Sequence, residues 1–440
     1  MARELQKFHA KLFKKLSNLL EDPQLVGDYC FEQNHFTRKR KLPFQTVVIL
    51  ILQLLKSSVK TELKSFYKNV FNADEVVNWV RASSFCKARQ KLMHQLFIDL
   101  NRFIVRFFYK YIGGVRWFHF RLLAVDGSCL NLPSSRELIE RFGHHHTSST
   151  GAKIPQARAS FLSDVLNNIV IDSQIEAFKV GEQQMFYQHL CYIGKGDLLT
   201  ADANYGHFGI LKAILQTNAD FCIRMSKLPN FINDFLVSGK KDIVLEWSPC
   251  TKTTESYKKR GIDPTPLKVR LVRIELSENE TEVLALSLLD QEKYTYECIK
   301  KLYDKRWDVE EDIKRVMQRL MVEFFSSKKE NGVLQDFYAN IFMLNIVSFL
   351  AEPVKEQVKN RSKGNKYQRQ INWTSALGDI RERFALLFLR DIDKIDAIIQ
   401  SMWESFMINT EAIKPGRKFP RDKRRKGSRQ KAFINYKPAW

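Results

Sequence analysis

The chain lacks any C-x-x-C pair. Its seven cysteines, Cys30, Cys86, Cys129, Cys191, Cys222, Cys250 and Cys298, are odd in number and widely spaced. That excludes a zinc ribbon or a dithiol redox motif and fits a reducing, cytoplasmic setting. No signal-peptide h-region follows Met1-Ala2-Arg3-Glu4, so no secretory leader is expected. The longest apolar run, Phe44 to Leu55, contains Gln45, Thr46 and Gln53 and is too short for a bilayer. It reads as a buried helix. With no amphipathic anchor either, no membrane partner is expected. Internal repeats are absent. Acidic residues are in short supply, 49 against 71 Lys plus Arg, a formal charge of +22. Such a field attracts polyanions, and binding through phosphates weakens steeply with salt.

What is present is a large apolar fraction, 44% of 440 residues with 32 Phe, enough for two to four folded units and incompatible with a disordered polymer. Residues 1–114 read as helical. Pro43 suits a first helical turn, and Phe44, Val47, Val48, Ile51, Leu54 and Leu55 follow at helical spacing. A basic helix is expected from about Ser83 to Tyr111, with Lys87, Arg89, Lys91, Arg102 and Arg106 on an apolar frame. It reads either as a DNA-end-binding surface or as a packed bundle with a solvated basic face. Beyond Gly113-Gly114 the pattern turns to strands. Leu122–Val125 ends at Asp126, Ala157–Phe161 and Asn168–Ile175 are extended, and Asp197–Ala201 ends at Asp202. A helix over Phe208–Gln216 and a strand over Phe221–Met225 complete an α/β pattern across 115–228.

Residues 229–292 read as an inserted antiparallel β region, with strands at Ile243–Trp247, Leu267–Leu276 and Glu282–Leu289. Helix is expected from about Thr295 past Phe325, again over 333–351 within a segment 293–370, and again over 374–409 within 371–440. From Lys414 to Lys431 the tail carries ten basic residues against Asp422 alone, a reach for phosphate or a solvated end.

Chemistry gathers at three acids. Two apolar strands, LLAVDGS and DLLTADANY, each stop at an aspartate, Asp126 and Asp202. A carboxylate at a strand end can face a metal ion without being buried unpaired. In the helical stretch YTYECIKKLYDKRWDVEEDIKRV, Tyr303, Arg306 and Glu310 recur at three and four residues and share one face. Arg306 suits bidentate phosphate contact, Tyr303 can donate or stack, and Glu310 can complete a hard-oxygen site. Glu311 is a rival carboxylate turned about 100° away. A solvated helix with paired charges is the plainer reading of this segment. Arg224 follows a strand and serves DNA or pairs with an acid. Ser128 has no evident His and Asp partners for a nucleophilic triad. His144-His145-His146 reads as a polar loop, since imidazole is a poor match for hard cations.

Together, LLAVDGS, GDLLTADANYGHFGILKAI with FCIRMS, and SLLDQEKYTYECIKKLYDKRWDVEEDIKRV resemble the insertion-sequence-four family of bacterial DDE transposases. The third block carries the family's spacing of Tyr, two residues, Arg, three residues, Glu, and the resemblance extends from about 118 to 430. It implies an α/β fold with a ribonuclease-H-like core and an inserted antiparallel β region, flanked by N-terminal and C-terminal helical regions. It also implies cut-and-paste transposition: cleavage and strand transfer at the ends of a mobile element. The implied catalytic and metal-holding residues are Asp126, Asp202 and Glu310, with Asp126 shared between two Mg²⁺ ions (Mn²⁺ as substitute) about 4 Å apart. One ion would activate the attacking water or 3′-hydroxyl and the other would steady the leaving oxygen. Tyr303, Arg306, Lys314, Arg315, Arg224 and Tyr205 are the candidate DNA contacts. The implied partners are double-stranded element ends and target DNA, and a second copy in a homodimeric synapse, nucleoid-associated when bound. The sequence departs from the family where Lys usually follows Glu by seven residues; Met317 stands there, with Lys314 or Arg315 nearby to take the phosphate. It departs again at Ala203-Asn204, where Arg-Gly is common. Trp247 is a weak candidate for the aromatic wedge that attends hairpin formation in some relatives; a core position is the plainer reading.

Overall fold

Leu122–Val125 and Leu198–Ala201 are buried along their whole length, the mark of strands covered on both faces and paired in parallel. A computed structural model of the chain describes residues 2–38, 41–53, 57–71, 80–146, 151, 153–227, 229–277, 280–303, 324–389 and 392–414. The chain divides into two compact units. One comprises residues 1–113, 130–157 and 316–440; the other comprises 114–129 and 158–315. One division falls at Gly113 and Gly114, whose φ angles of 81° and 76° favour glycine.

The second unit is built on a mixed sheet. Its strands are β1 (Arg121–Asn131), β3 (Lys153–Asp164), β4 (Ile169–Ala177), β5 (Asp197–Ala201), β6 (Asp220–Met225), β7 (Asp242–Trp247), β8 (Leu267–Ser277) and β9 (Glu280–Leu286). Short β2 (His144–His146) pairs with the start of β3 inside the first unit. The order is β3-β1-β5-β6-β9-β8-β7, with β4 on β3. β1, β5 and β6 run parallel, whereas β6, β9, β8 and β7 alternate. The segment expected as an insertion therefore extends the sheet itself: β9 takes its place beside β6 through Cys222↔Leu286 and Arg224↔Leu284. Helices Asn230–Val237 and Thr251–Lys259 interrupt it, and the sequence reading had neither. β1 also runs on past Asp126 to Asn131. Its pairing with β5 stops at Ala124, and β3 is its neighbour on the other edge.

Alternation places Leu122 of β1, Leu198 of β5, Cys222 of β6, Leu284 and Leu286 of β9, and Val272 and Ile274 of β8 on one face. These side chains form a buried cluster with Ile299, Leu302 and Tyr303. The helical stretch over 296–303 thus packs on that face. Residues 304–323 lie outside the described residues, and 324–329 are not helical, so no helix runs through Phe325; the next begins at Glu330.

In the first unit, the most hydrophobic window of helix Glu330–Arg361 is wholly buried. By length and composition it could cross a membrane; inside the unit it is the core helix against which Gln95–Tyr111 and Phe44–Leu52 pack. The single basic helix expected over 83–111 is two, Ala82–Arg89 and Gln95–Tyr111. Gln335 stabilises the break: its Nε2 donates to the carbonyls of Arg89 (2.9 Å) and Leu92 (2.6 Å). Arg89 itself is buried. Its guanidinium donates to Gln335 Oε1 (2.9 Å), Ser326 Oγ (2.7 Å), Gly332 O (3.0 Å) and Asp336 Oδ1 (3.0 Å). It belongs to the core rather than to a basic surface. The helical stretch expected over 374–409 comprises Trp373–Arg383, Leu386–Leu389 and Ile392–Ile408.

Candidate active site

Arg121 and Asp197 open the parallel pair with a bidentate contact, Nε to Oδ1 at 2.7 Å and Nη2 to Oδ2 at 2.8 Å. They pin a register that runs Arg121↔Asp197 through Ala124↔Thr200, each partner 76 positions downstream. Asp126 and Asp202 are also 76 apart (202 − 126). Continued two residues beyond its last pair, the same register brings Asp126 and Asp202 level on one face. Asp202 keeps an extended backbone (φ −77°, ψ 178°), which preserves that level. β5 and β6 pair 22 apart, Leu198↔Asp220 through Ala201↔Ile223, and Asp202 and Arg224 differ by the same 22 (224 − 202). The two registers, continued past their last pairs, bring Asp126, Asp202 and Arg224 level on the face where residues 296–303 pack.

Each carboxylate is oriented locally. Asp126 Oδ1 accepts from the Gly127 backbone N–H (2.9 Å), and Asp202 Oδ1 accepts from that of Asn204 (2.9 Å). Asn204 is the central residue of the tight turn Ala203–Tyr205, which Asp202 caps. Gly206 follows, where a Cβ would meet the Arg224 carbonyl at 2.7 Å, so the turn is held close against β6. Tyr205 faces inward. It is 1% exposed, and its hydroxyl has no hydrogen-bond partner among the described residues. Burial pushes this phenol far up, and the carboxylates of Glu182, Asp126 and Asp202 push it the same way against the opposing effect of Arg158. One buried hydroxyl thus feels three carboxylates at once.

Glu182 was not singled out in the sequence. It opens the helix Glu182–His189 and reaches back across β1. Its Oε1 accepts from Arg158 Nη1 of β3 (2.7 Å), and its Oε2 from Asn204 Nδ2 (2.9 Å). It lies directly over Gly127, where a Cβ would stand 2.8 Å from Glu182 Cγ. An acid in a first helical turn was the available signal, and it is a common one. The far end of that helix is anchored by His189, fully buried, with Nδ1 2.7 Å from Asp172 Oδ2 and Nε2 2.9 Å from Ser160 Oγ. The chain Ser160–His189–Asp172 has the connectivity of a nucleophilic triad, but its burial makes it a structural tie.

The remaining candidates are distributed as follows. Arg224 pairs with Glu282 across β6 and β9 (2.6 Å), which gives this arginine the acid partner that the sequence left open. Tyr303, 2% exposed, and Tyr205 are both buried. As placed, both pack within the unit. Arg306, Glu310, Glu311, Lys314, Arg315 and Met317 lie outside the described residues, as does the tail from 415. Ser128 lies within β1. His144–His146 form a strand rather than a loop, because they pair antiparallel with Lys153–Pro155; the Nε2 atoms of His144 and His146 are 3.1 Å apart. Trp247 packs between Phe208 and Phe231 at ring-centroid distances of 5.6 and 4.9 Å.

Among the described residues no three His, Cys, Asp or Glu side chains converge as a metal site. Asp126 and Asp202 supply two hard oxygen donors, and both carboxylates act on the buried Tyr205 hydroxyl, which has no hydrogen-bond partner among the described residues. That donor set fits a divalent cation of the magnesium type and does not fit a soft metal.

The transposase DDE domain family matches residues 117–346, just over half of the chain. No match was found among curated proteins. Among solved structures, a cryo-EM structure of the piggyBac transposase synaptic complex with hairpin DNA is similar at 13% identity and a TM-score of 0.39, covering 82% of this chain and 70% of that one.

Proposed function

From the premise that the chain belongs to the transposase DDE domain family, whose members are metal-dependent DNA-cleaving and DNA-transferring enzymes, we propose that it excises and inserts a mobile DNA element. Asp126 and Asp202 bind the metal, and Glu310 is the third donor. The observation that carries this reading is the parallel register of β1 against β5, which, continued two residues past Ala124↔Thr200, brings Asp126 within β1 level with Asp202 at the end of β5. Bound Mg²⁺ or Mn²⁺ supplies Lewis acidity at a phosphodiester and lowers the pKa of the attacking hydroxyl. The chain's own groups do the rest. The two aspartates, each oriented by a backbone N–H, would present carboxylate oxygens to the cation. Arg306, with Lys314 or Arg315, positions the phosphate, and Arg224 stays engaged with Glu282 until DNA competes for it.

The finer reading is a ribonuclease-H-like core of the insertion-sequence-four type, acting as a homodimer on paired element ends in the cytoplasm. The segment from Tyr303 to Glu310 and the helical packing on the Asp126 face both support it. The test is cleavage and strand transfer with labelled element ends in Mg²⁺ or Mn²⁺, for the parent chain and for Asp126→Ala. Loss of both reactions with retained DNA binding is expected. Cleavage without joining by the parent would make the chain a nuclease, and unchanged cleavage by Asp126→Ala would remove the proposed centre altogether.

A further inference from the structure

We infer that Glu182 is a positioning residue that sets the spacing of the two metal-binding aspartates; the inference rests on the proposed function above. Its carboxylate connects the two segments that matter. On one side it covers Gly127, the residue next to Asp126, at a separation that leaves no room for a Cβ. On the other it accepts the Asn204 side-chain amide at 2.9 Å, while the Asn204 backbone N–H holds Asp202 Oδ1. Gln183 adds a second tie, Nε2 to the Asn204 carbonyl at 2.8 Å. Arg158 of β3 fixes the other Glu182 oxygen at 2.7 Å.

The helix that carries Glu182 cannot slide. Its last residue, His189, is bonded to Ser160 of β3 and Asp172 of β4 inside the core. A fixed helix thus presses one carboxylate between the turn after Asp202 and the strand at Asp126. The side-chain amide of Asn204 is the group Glu182 holds. Outer-sphere partners of this kind orient ligands, and their loss costs roughly ten- to a hundredfold in metal affinity or activity.

The experiment uses the full chain and Mn²⁺ alone, read as bound against free ion by electron paramagnetic resonance. Glu182→Gln keeps the size but supplies one acceptor where two are used. We expect Mn²⁺ affinity to fall roughly ten- to a hundredfold. Asn204→Ala, at an exposed position that does not threaten folding, is expected to fall in the same direction. The double variant should lose no more than the worse single one, because both changes break one tie. In cleavage assays kcat should fall while KM for the DNA ends stays level. Asp126→Ala is the control. If it loses Mn²⁺ while Glu182→Gln and Asn204→Ala bind within twofold of the parent, the positioning role is overturned and the proposed centre stands. If Asp126→Ala binds Mn²⁺ like the parent, both readings fall together.

Discussion

Replacing Arg89 by alanine should destabilise the first unit far more than removing the charge of nearby Lys87, although the sequence puts both on one basic segment. Arg89 is 2% exposed and its partner Asp336 6%. The substitution strips donors from Gln335 Oε1, the Gly332 carbonyl and Asp336 Oδ1. Asp336 retains the Ser326 backbone N–H (2.6 Å) and hydroxyl, so part of its charge stays solvated by protein. Breaking a buried pair from one side costs roughly 3–5 kcal/mol. In a unit of this size that is a fall of about 10 °C in melting temperature. Lys87 is exposed, and Lys87→Ala should shift the melt by under about 0.5 kcal/mol. If it touches phosphate, it should instead shallow the salt dependence of DNA affinity by about one counterion. A double variant, Arg89→Met with Asp336→Leu, tests the cause: removing both charges should recover much of the loss. Thermal melts by circular dichroism, with salt-dependent DNA binding in parallel, read all four proteins. A melt of Arg89→Ala within a degree of the parent would refute the buried network.

Other substitutions probe the candidate site and its surroundings. Tyr205→Phe removes a buried hydroxyl that has no partner among the described residues. Stability should hold or rise by about 1 kcal/mol, and a loss above that in thermal melts would mean the hydroxyl is bonded. Gly127→Ala keeps an extended backbone but pushes a Cβ to 2.8 Å from Glu182 Cγ. The flexible Glu182 side chain should yield, so Mn²⁺ affinity should drop with little change in melting temperature; unchanged affinity would show that Glu182 can leave Gly127 without consequence. The Thr265 hydroxyl and backbone N–H, and then Lys212, hold the Asp263 carboxyl at about 2, below its ordinary 3.8. A depressed folded value stabilises above the unfolded pKa, and that contribution fades as pH falls from about 4 towards 2. Asp263→Asn should flatten the acid limb of stability in that window, and an unaltered slope would contradict the assignment.

Much of the second unit is legible in order along the chain. Buried runs at Leu122–Val125 and Leu198–Ala201, the helix Phe208–Gln216 and the strand up to Met225 follow from apolar length and turn chemistry, which are local. Breaks inside basic segments are less visible. Arg89 and Lys87 look alike in sequence, and only the neighbours, Asp336 and Gln335 some 247 and 246 positions away, separate core from surface. Strand partners are equally hidden: β9 can join β6 or stand apart with the same alternation, so an insertion and a sheet extension read identically.

The proposal of Asp126, Asp202 and Glu310 and their order along the chain come from the sequence by itself, because carboxylates and their motif spacing are written in residue type, although β1 does not stop at Asp126. That Asp126 and Asp202 stand level on one face depends on the register of β1 against β5, pinned by Arg121 and Asp197, and a slip of one residue would turn one of them to the other side. Glu182, Arg158 and Asn204 enter the site only through tertiary structure. They sit on three separate elements, and no spacing in a linear chain records that a helix anchored at His189 will bring a carboxylate down over Gly127.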